Sequence, residues 1–368
     1  MKTRLPLLLA VSLLLQQHAF ADKRVPIQPM DPAEARKFIK EHPEQLGGAE
    51  DQPFTPVEYN LPPNNTLPFK VAVVNGPDTQ QKQAISAKAR ALFQEKNYDA
   101  LEAMAAEYRK SKEGYADGMR KLDTVYGALN ILETSTNERF LAQIIALKDW
   151  VKAKPASLTA KIALADVLIG YAWKARGSGT ADTVTDENAR RFSDRLQQAN
   201  EILKDAKALD EKCPHYWRSL LTIDMGLGTA RDQANADFRD ATEFDPEYVC
   251  AYAARALFLL PRWYGQQGEW EKELATSADK LGGDKGDMLY AQVVWHLHRS
   301  HTFQPDIFSE HRISWPRIDK GFNVIVHQFP DSLAAKNEHA YLAAVADDPM
   351  AARKYFDQTQ GKADLSVW

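Results

Sequence analysis

Apolar residues along this chain recur at steps of three and four, the spacing that stacks side chains on one face of an α-helix. Ala84, Ala87, Ala91 and Leu92 lead through Phe93 to a polar break at Asn97, after which Leu101, Met104, Ala105 and Tyr108 form a second stripe. Leu122, Val125, Leu129 and Leu132 continue the series, and Phe140, Ile144, Leu147 and Val151 make a regular stripe ending at Lys154-Pro155. Phe192, Leu196, Ala199, Leu203 and Ala206 give the strongest amphipathic signal. Pro214 opens a helix holding Trp217, Leu220, Leu221 and Ile223, which ends near Gly226 and Gly228. Further helices are expected over 270–281, 285–298 and 318–329, with an irregular crossing over 303–318. Pro155 and Pro246 read as first-turn prolines, where a missing N–H costs nothing.

Two internal regularities turn these helices into an array. Pro155-Ala-Ser-Leu-Thr-Ala-Lys161 and Pro330-Asp-Ser-Leu-Ala-Ala-Lys336 agree at five of seven positions, each after an amphipathic stretch. Ala234-x3-Phe238-x2-Ala241-x4-Pro246 resembles the second-helix half of a tetratricopeptide repeat, and Ala352-x3-Phe356 keeps the same small-to-aromatic spacing. The strings from Trp173 to Asp186 and from Leu260 to Trp270 look like those of bacterial exported proteins with uncharacterised tetratricopeptide-like domains. That resemblance implies an all-α array of antiparallel helix pairs, an irregular tetratricopeptide-like α-solenoid. It also implies protein or peptide binding, and it brings no catalytic residues with it.

The organisation expected is a signal peptide over 1–21, a Pro-rich arm over 22–80 and a helical domain over 81–368. Lys2 and Arg4 precede an apolar run from Leu5 to Leu15, and Ala19-Phe20-Ala21 has the form of a cleavage site. The run is too short to span a bilayer. No other apolar run is long enough either, so the mature chain is expected to carry no membrane span and to be periplasmic or secreted. The arm carries nine prolines between Asp22 and Phe69, room for one short helix over 32–42, and an extended piece at Val71–Val74 with no visible partner. Loss of Lys2 and Arg4 takes the formal charge from −4 to −6, and no basic face emerges for nucleic acid.

Candidate chemistry is sparse. Cys213 and Cys250 suit either a disulfide in an oxidising compartment or two small buried residues. His296, His298, His301 and His311 are the obvious metal ligands, but His296 and His298 point about 200° apart on a helix. They read instead as solvated positions near a helix end, and no metal or other cofactor is expected. No nucleophile motif is recognisable. The better candidates are two turns, Trp173 to Gly177 and Arg262 to Gly265, each four or five helical turns beyond Pro155 or Pro246 and so expected on one edge. Trp173, Arg176, Arg262, Trp263 and Tyr264, with Asp182 and Trp270 in support, are partner-binding candidates because Trp, Tyr and Arg dominate binding hot spots. The preferred reading of the same residues is packing, with Arg176 and Arg262 held by acids such as Asp182 or by helix-end carbonyls. The function expected is a non-catalytic protein- or peptide-binding or scaffold role. The alternative is an exported hydrolase with catalytic groups drawn from distant helices.

Overall fold

One turn design occurs three times among the described residues, and it explains the repeated heptapeptide. At Lys154, Asp245 and Phe329 the helix stops in similar backbone conformations, with φ/ψ of −132/73°, −143/91° and −121/63°. Two turn residues follow, and an N–H then reaches back to that stopping residue: Ser157 to Lys154 O at 2.9 Å, Tyr248 to Asp245 O at 3.1 Å and Ser332 to Phe329 O at 3.0 Å. Ser157 and Ser332 then cap the next helix through Oγ, accepting from the N–H of Ala160 and Ala335. Pro155, Pro246 and Pro330 therefore sit in the turn before the helix. This corrects the first-turn reading of Pro155 and Pro246; Pro214 does stand in a first turn.

The computed structural model describes residues 71–300 and 307–368, together with Lys37 and Glu41, both helical and paired at 3.9 Å. The expected leader, the rest of the arm and His301 lie outside the described residues. The described chain is mostly helical: α1 (Pro77–Gln94), α2 (Tyr98–Ser111), α3 (Lys121–Leu129), α4 (Asn137–Ala153), α5 (Leu158–Arg176), α6 (Asp186–Lys207), α7 (Pro214–Leu227), α8 (Arg231–Phe244), α9 (Val249–Phe258), α10 (Glu269–Leu281), α11 (Gly283–Arg299), α12 (Ile307–Glu310), α13 (Trp315–Gln328), α14 (Leu333–Val345) and α15 (Pro349–Asp357). Two three-residue strands, β1 (Ala72–Val74) and β2 (Lys362–Asp364), pair in parallel. The extended piece expected near residue 71 thus has its partner at the other end of the described chain. α1 begins at Pro77, four residues before the expected boundary.

The odd-numbered helices α1, α3, α5, α7, α9 and α11 contact one another in sequence, and α2, α6, α8 and α10 each pack on both of their chain neighbours. α13 joins α11 to α14, and α14 packs back on α1 beside the β1–β2 pair. The row of contacts therefore returns to its start. α5 is buried on nearly every side, whereas α6 fully buries only the stripe Leu196, Ala199, Leu203 and Ala206 and leaves the rest half-buried or exposed. Gly321 lets α13 approach α11 closely: a Cβ there would lie 2.2 Å from Asp287 O.

Most predicted stripes face the core, with two exceptions. In α1 the buried residues are Ile85, Ala89 and Phe93, while Ala84, Ala87 and Ala91 are exposed. Three alanines set no face against an isoleucine and a phenylalanine, whose larger area decides which side is buried. Leu132 lies beyond the end of α3 and is exposed.

Closure of the row makes a testable demand on the last residues. Trp368 donates from Nε1 to Asn337 Oδ1 at 2.6 Å and packs edge-on to Tyr341, both on α14. Trp368→Ala is expected to lower stability by about 2 kcal/mol from lost apolar burial and one hydrogen bond. Hydrogen exchange should rise first at β1 and the start of α1, and exchange unchanged there would contradict a closing role.

Candidate functional site

The buried centre is built on two carboxylates and one imidazole. Asp166 is a lone acid in the apolar middle of α5, and its position aims it at α7. There Pro214 opens the helix and His215 follows, almost fully buried. His215 Nε2 lies 2.6 Å from Asp166 Oδ2, and its Nδ1 lies 2.8 Å from Asp123 Oδ1. Asp123 belongs to the first turn of α3 and accepts the N–H of Arg120 at 2.9 Å, half of a capping box. Tyr248, the cap residue of α9, donates its hydroxyl to Asp123 at 2.5 Å, and Ser219 donates to Asp166 at 2.5 Å. Side chains of α3, α5, α7 and the start of α9 thus meet in one hydrogen-bonded knot.

Charge inside the knot is compensated. Burial opposes ionisation of both acids, but their bonds to His215 outweigh it and hold the Asp123 and Asp166 carboxyls below the usual range. Burial likewise opposes charge on His215, and the two carboxylates outweigh it and raise its pKa. An imidazolium clamped by two carboxylates leaves one net negative charge, which Arg218 faces at 3.9 Å from Asp166 Oδ2.

The knot walls a cavity of about 1010 Å³, into which Asp166, Arg218 and Ser219 project. The mouth carries both candidate turns. Trp173, in the last turn of α5, meets Trp263 edge-on with centroids 5.7 Å apart, and the Arg176 guanidinium stands 5.1 Å from the Trp263 ring and 5.7 Å from that of Trp173. Arg176 Nη1 also donates to the carbonyls of Gly177 and Gly179, each at 3.1 Å. The second turn is pinned by N–H bonds from Trp263 to Leu260 O and from Tyr264 to Phe258 O, and Arg231 holds the Tyr264 carbonyl at 2.6 Å. Gly265 is required there by close approach, since a Cβ would lie 1.8 Å from Leu259 O. Arg262 and Tyr264 are exposed on this wall, Tyr264 by 41%. A smaller cavity of about 370 Å³, lined by Lys82, Asp117, Asp123 and Arg299 among others, shares His296 with the larger one.

Five of the seven candidates therefore line one cavity: Trp173, Arg176, Arg262, Trp263 and Tyr264. The other two do not. Asp182 is exposed in the 3-10 turn Ala181–Thr183, where Thr180 bonds its carboxylate and keeps its pKa low, and the cavity wall stops at Ala181. Trp270 is a core residue, 1% exposed, with Nε1 at 3.3 Å from His311 Nδ1. The packing expectation holds for Arg176, through carbonyls and rings. Cys213 and Cys250 are free, buried thiols. Their neighbours differ: Cys213 Sγ lies 3.6 Å from the Tyr126 hydroxyl and Cys250 Sγ 3.4 Å from Met119 Sδ. Of the four histidines, the three described ones are not the solvated positions expected either. His298 is buried, His311 lies beside Glu271, and His296 is half-buried on the cavity wall. Among the described residues no three His, Cys, Asp or Glu side chains gather as a metal site, and no helix is long and apolar enough to cross a membrane.

No protein-family model, curated protein or solved structure matches this chain. The geometry therefore carries the functional argument by itself.

The knot should be visible in stability against pH. Because its native pKa is raised, the His215 contribution is complete below its ordinary value of 6.5 and is lost as pH rises through the native value. The Asp123 and Asp166 contributions are complete above their ordinary 3.8 and are lost as pH falls through their lowered native values. Thermal unfolding followed across pH should show a maximum between those limits. Asp166→Asn should cost about 3 kcal/mol within that window by leaving a buried imidazolium short of one partner. A melting profile that the substitution leaves unchanged would remove the ionised knot.

Proposed function

We propose that this chain is an exported, non-catalytic protein- or peptide-binding protein of the bacterial envelope, with its helix pairs arranged as an irregular, tetratricopeptide-like array. The observation that carries the reading is the meeting of two turns, about ninety residues apart in the chain, around the mouth of one cavity. Its volume stands at the upper end of the roughly 300–1,000 Å³ typical of ligand sites. A Trp–Arg–Trp stack is rigid and amphipathic, the character of a hot spot that gains contact area without freezing many rotors.

The protonation states on and directly behind the cavity wall favour binding over hydrolysis. Both nitrogens of His215 are held by carboxylates, so that ring has none left to take a proton from a nucleophile. The Cys250 thiol is pushed well above its ordinary pKa by burial and by Asp123, which disfavours the thiolate. His296 is pulled down to about 4 by burial and by the Arg218 charge, a weak base at neutral pH.

The test is equilibration of the full chain with a mixed hexapeptide pool, followed by mass spectrometry of what is retained. The unmutated chain should retain peptides, and Trp263→Ala should weaken retention by about 1–2 kcal/mol without a matching fall in melting temperature. Retention unchanged by Trp263→Ala, with a lower melting temperature, would assign the stack to packing.

Export has its own check. The mass of protein recovered from an envelope fraction should correspond to a chain starting at Asp22. Recovery of the Met1 form from cytoplasm alone would contradict it.

A further inference from the structure

The charges inside the cavity narrow what would enter it, on the reading that it binds peptides. Three guanidinium groups line it, those of Arg176, Arg218 and Arg262, in a chain whose formal charge is −4. Two acids line it with them. Asp166 is committed to His215 and Ser219, which leaves the exposed Glu133 as the remaining carboxylate against three guanidinium groups. The cavity is thus locally cationic inside an acidic chain, a contrast that draws in anionic groups.

The three arginines are not equivalent. Arg176 holds the Gly177 and Gly179 carbonyls through Nη1 and stands against two indoles. Arg262 is exposed at the mouth. Arg218 lies on α7 one turn beyond His215, and its side chain keeps 42% of its surface open beside the buried knot. Its approach to Asp166 is long, at 3.9 Å, and its 3.4 Å contact with His215 Nε2 sets two donors against each other once that nitrogen bonds Asp166. Neither contact fills the two-pronged donor edge that a guanidinium offers to a carboxylate. His296 on the same wall is neutral at ordinary pH, so it adds a hydrogen-bonding nitrogen and no competing charge. Ile169, Ala253 and Leu257 give the wall its apolar part.

We infer that the cavity takes a peptide that brings a carboxylate to Arg218, while the adjoining apolar side chain packs on Trp263 and Trp173. The carboxylate is either a chain terminus or an acidic side chain, and peptide chemistry separates the two. Three hexapeptide pools decide the matter against the full chain: one lacking Asp and Glu with a free C-terminus, the same pool amidated, and an amidated pool with one fixed Glu. Retention of the first pool at least tenfold above the second identifies a terminal carboxylate. The same preference for the third pool identifies a side chain. Either preference should shrink as salt is added. Arg218→Gln should abolish the preference while the weak retention of the neutral pool persists, and Arg218→Lys should restore part of it. This comparison in the unmutated chain needs no variant, so a destabilised Arg218→Gln protein would not obscure it. Equal retention of all three pools overturns the inference and leaves peptide binding standing; so does a preference that survives in a normally melting Arg218→Gln variant. Retention of none of them overturns both.

Discussion

The clamp of one imidazole between two carboxylates is the constraint on which the centre of this molecule depends. His215 receives Asp123 from α3 on one nitrogen and Asp166 from α5 on the other, and Tyr248 ties the start of α9 to the same carboxylate. A group buried this deeply is tolerable only when every polar atom finds a partner at the right distance. The clamp therefore fixes the relative positions of four helices more narrowly than apolar contact does, because apolar surfaces tolerate sliding and charged hydrogen bonds do not. It also places Arg218 and Ser219, one turn further along α7, on the cavity wall.

Around that centre the chain divides its labour. Trp173 packs against both of the large apolar clusters, the one built mainly from α1 to α7 and the one built mainly from α9 to α14. A residue at such a seam has two duties, since its ring closes the gap between cores and its edge is left at the cavity mouth. Packing and recognition are then not exclusive fates for the Trp173–Arg176–Trp263 stack. The carbonyl bonds of Arg176 hold the stack in a fixed geometry, which is the preorganisation a binding surface requires.

The helical periods were legible because large apolar residues dominate burial: Leu196, Leu203, Phe140 and Leu147 all face inward as their spacing predicts. Where alanine carried the pattern, as in α1, the face was misjudged, for alanine is equally at home on either side of a helix. That the two turns share a rim was legible in part, because they fall at similar distances along the chain from Pro155 and Pro246, although the helices behind them differ, α5 running for 19 residues and α9 for 10. Trp270 was not, since nothing in its local pattern separates a rim tryptophan from a core one. The knot escaped notice for another reason. Asp123, Asp166, His215 and Tyr248 lie 33 to 125 residues apart in the chain, and the one local sign was Asp166 standing alone among apolar neighbours. An unexplained acid in a fully buried helix asks for a partner, and only the fold names it.

The pairing of β1 with β2 has a consequence for how the molecule is made. Ala72 and Lys362 are 290 positions apart, and joining such distant segments of a flexible chain costs about 5 kcal/mol of loop entropy. Three residues of parallel ladder do not offset that alone. Pairing of the strands is therefore favourable only once the intervening helices have stacked and carried the two segments to within reach. Until residues 362–364 reach β1, α1 and α14 each expose the face that the other will cover.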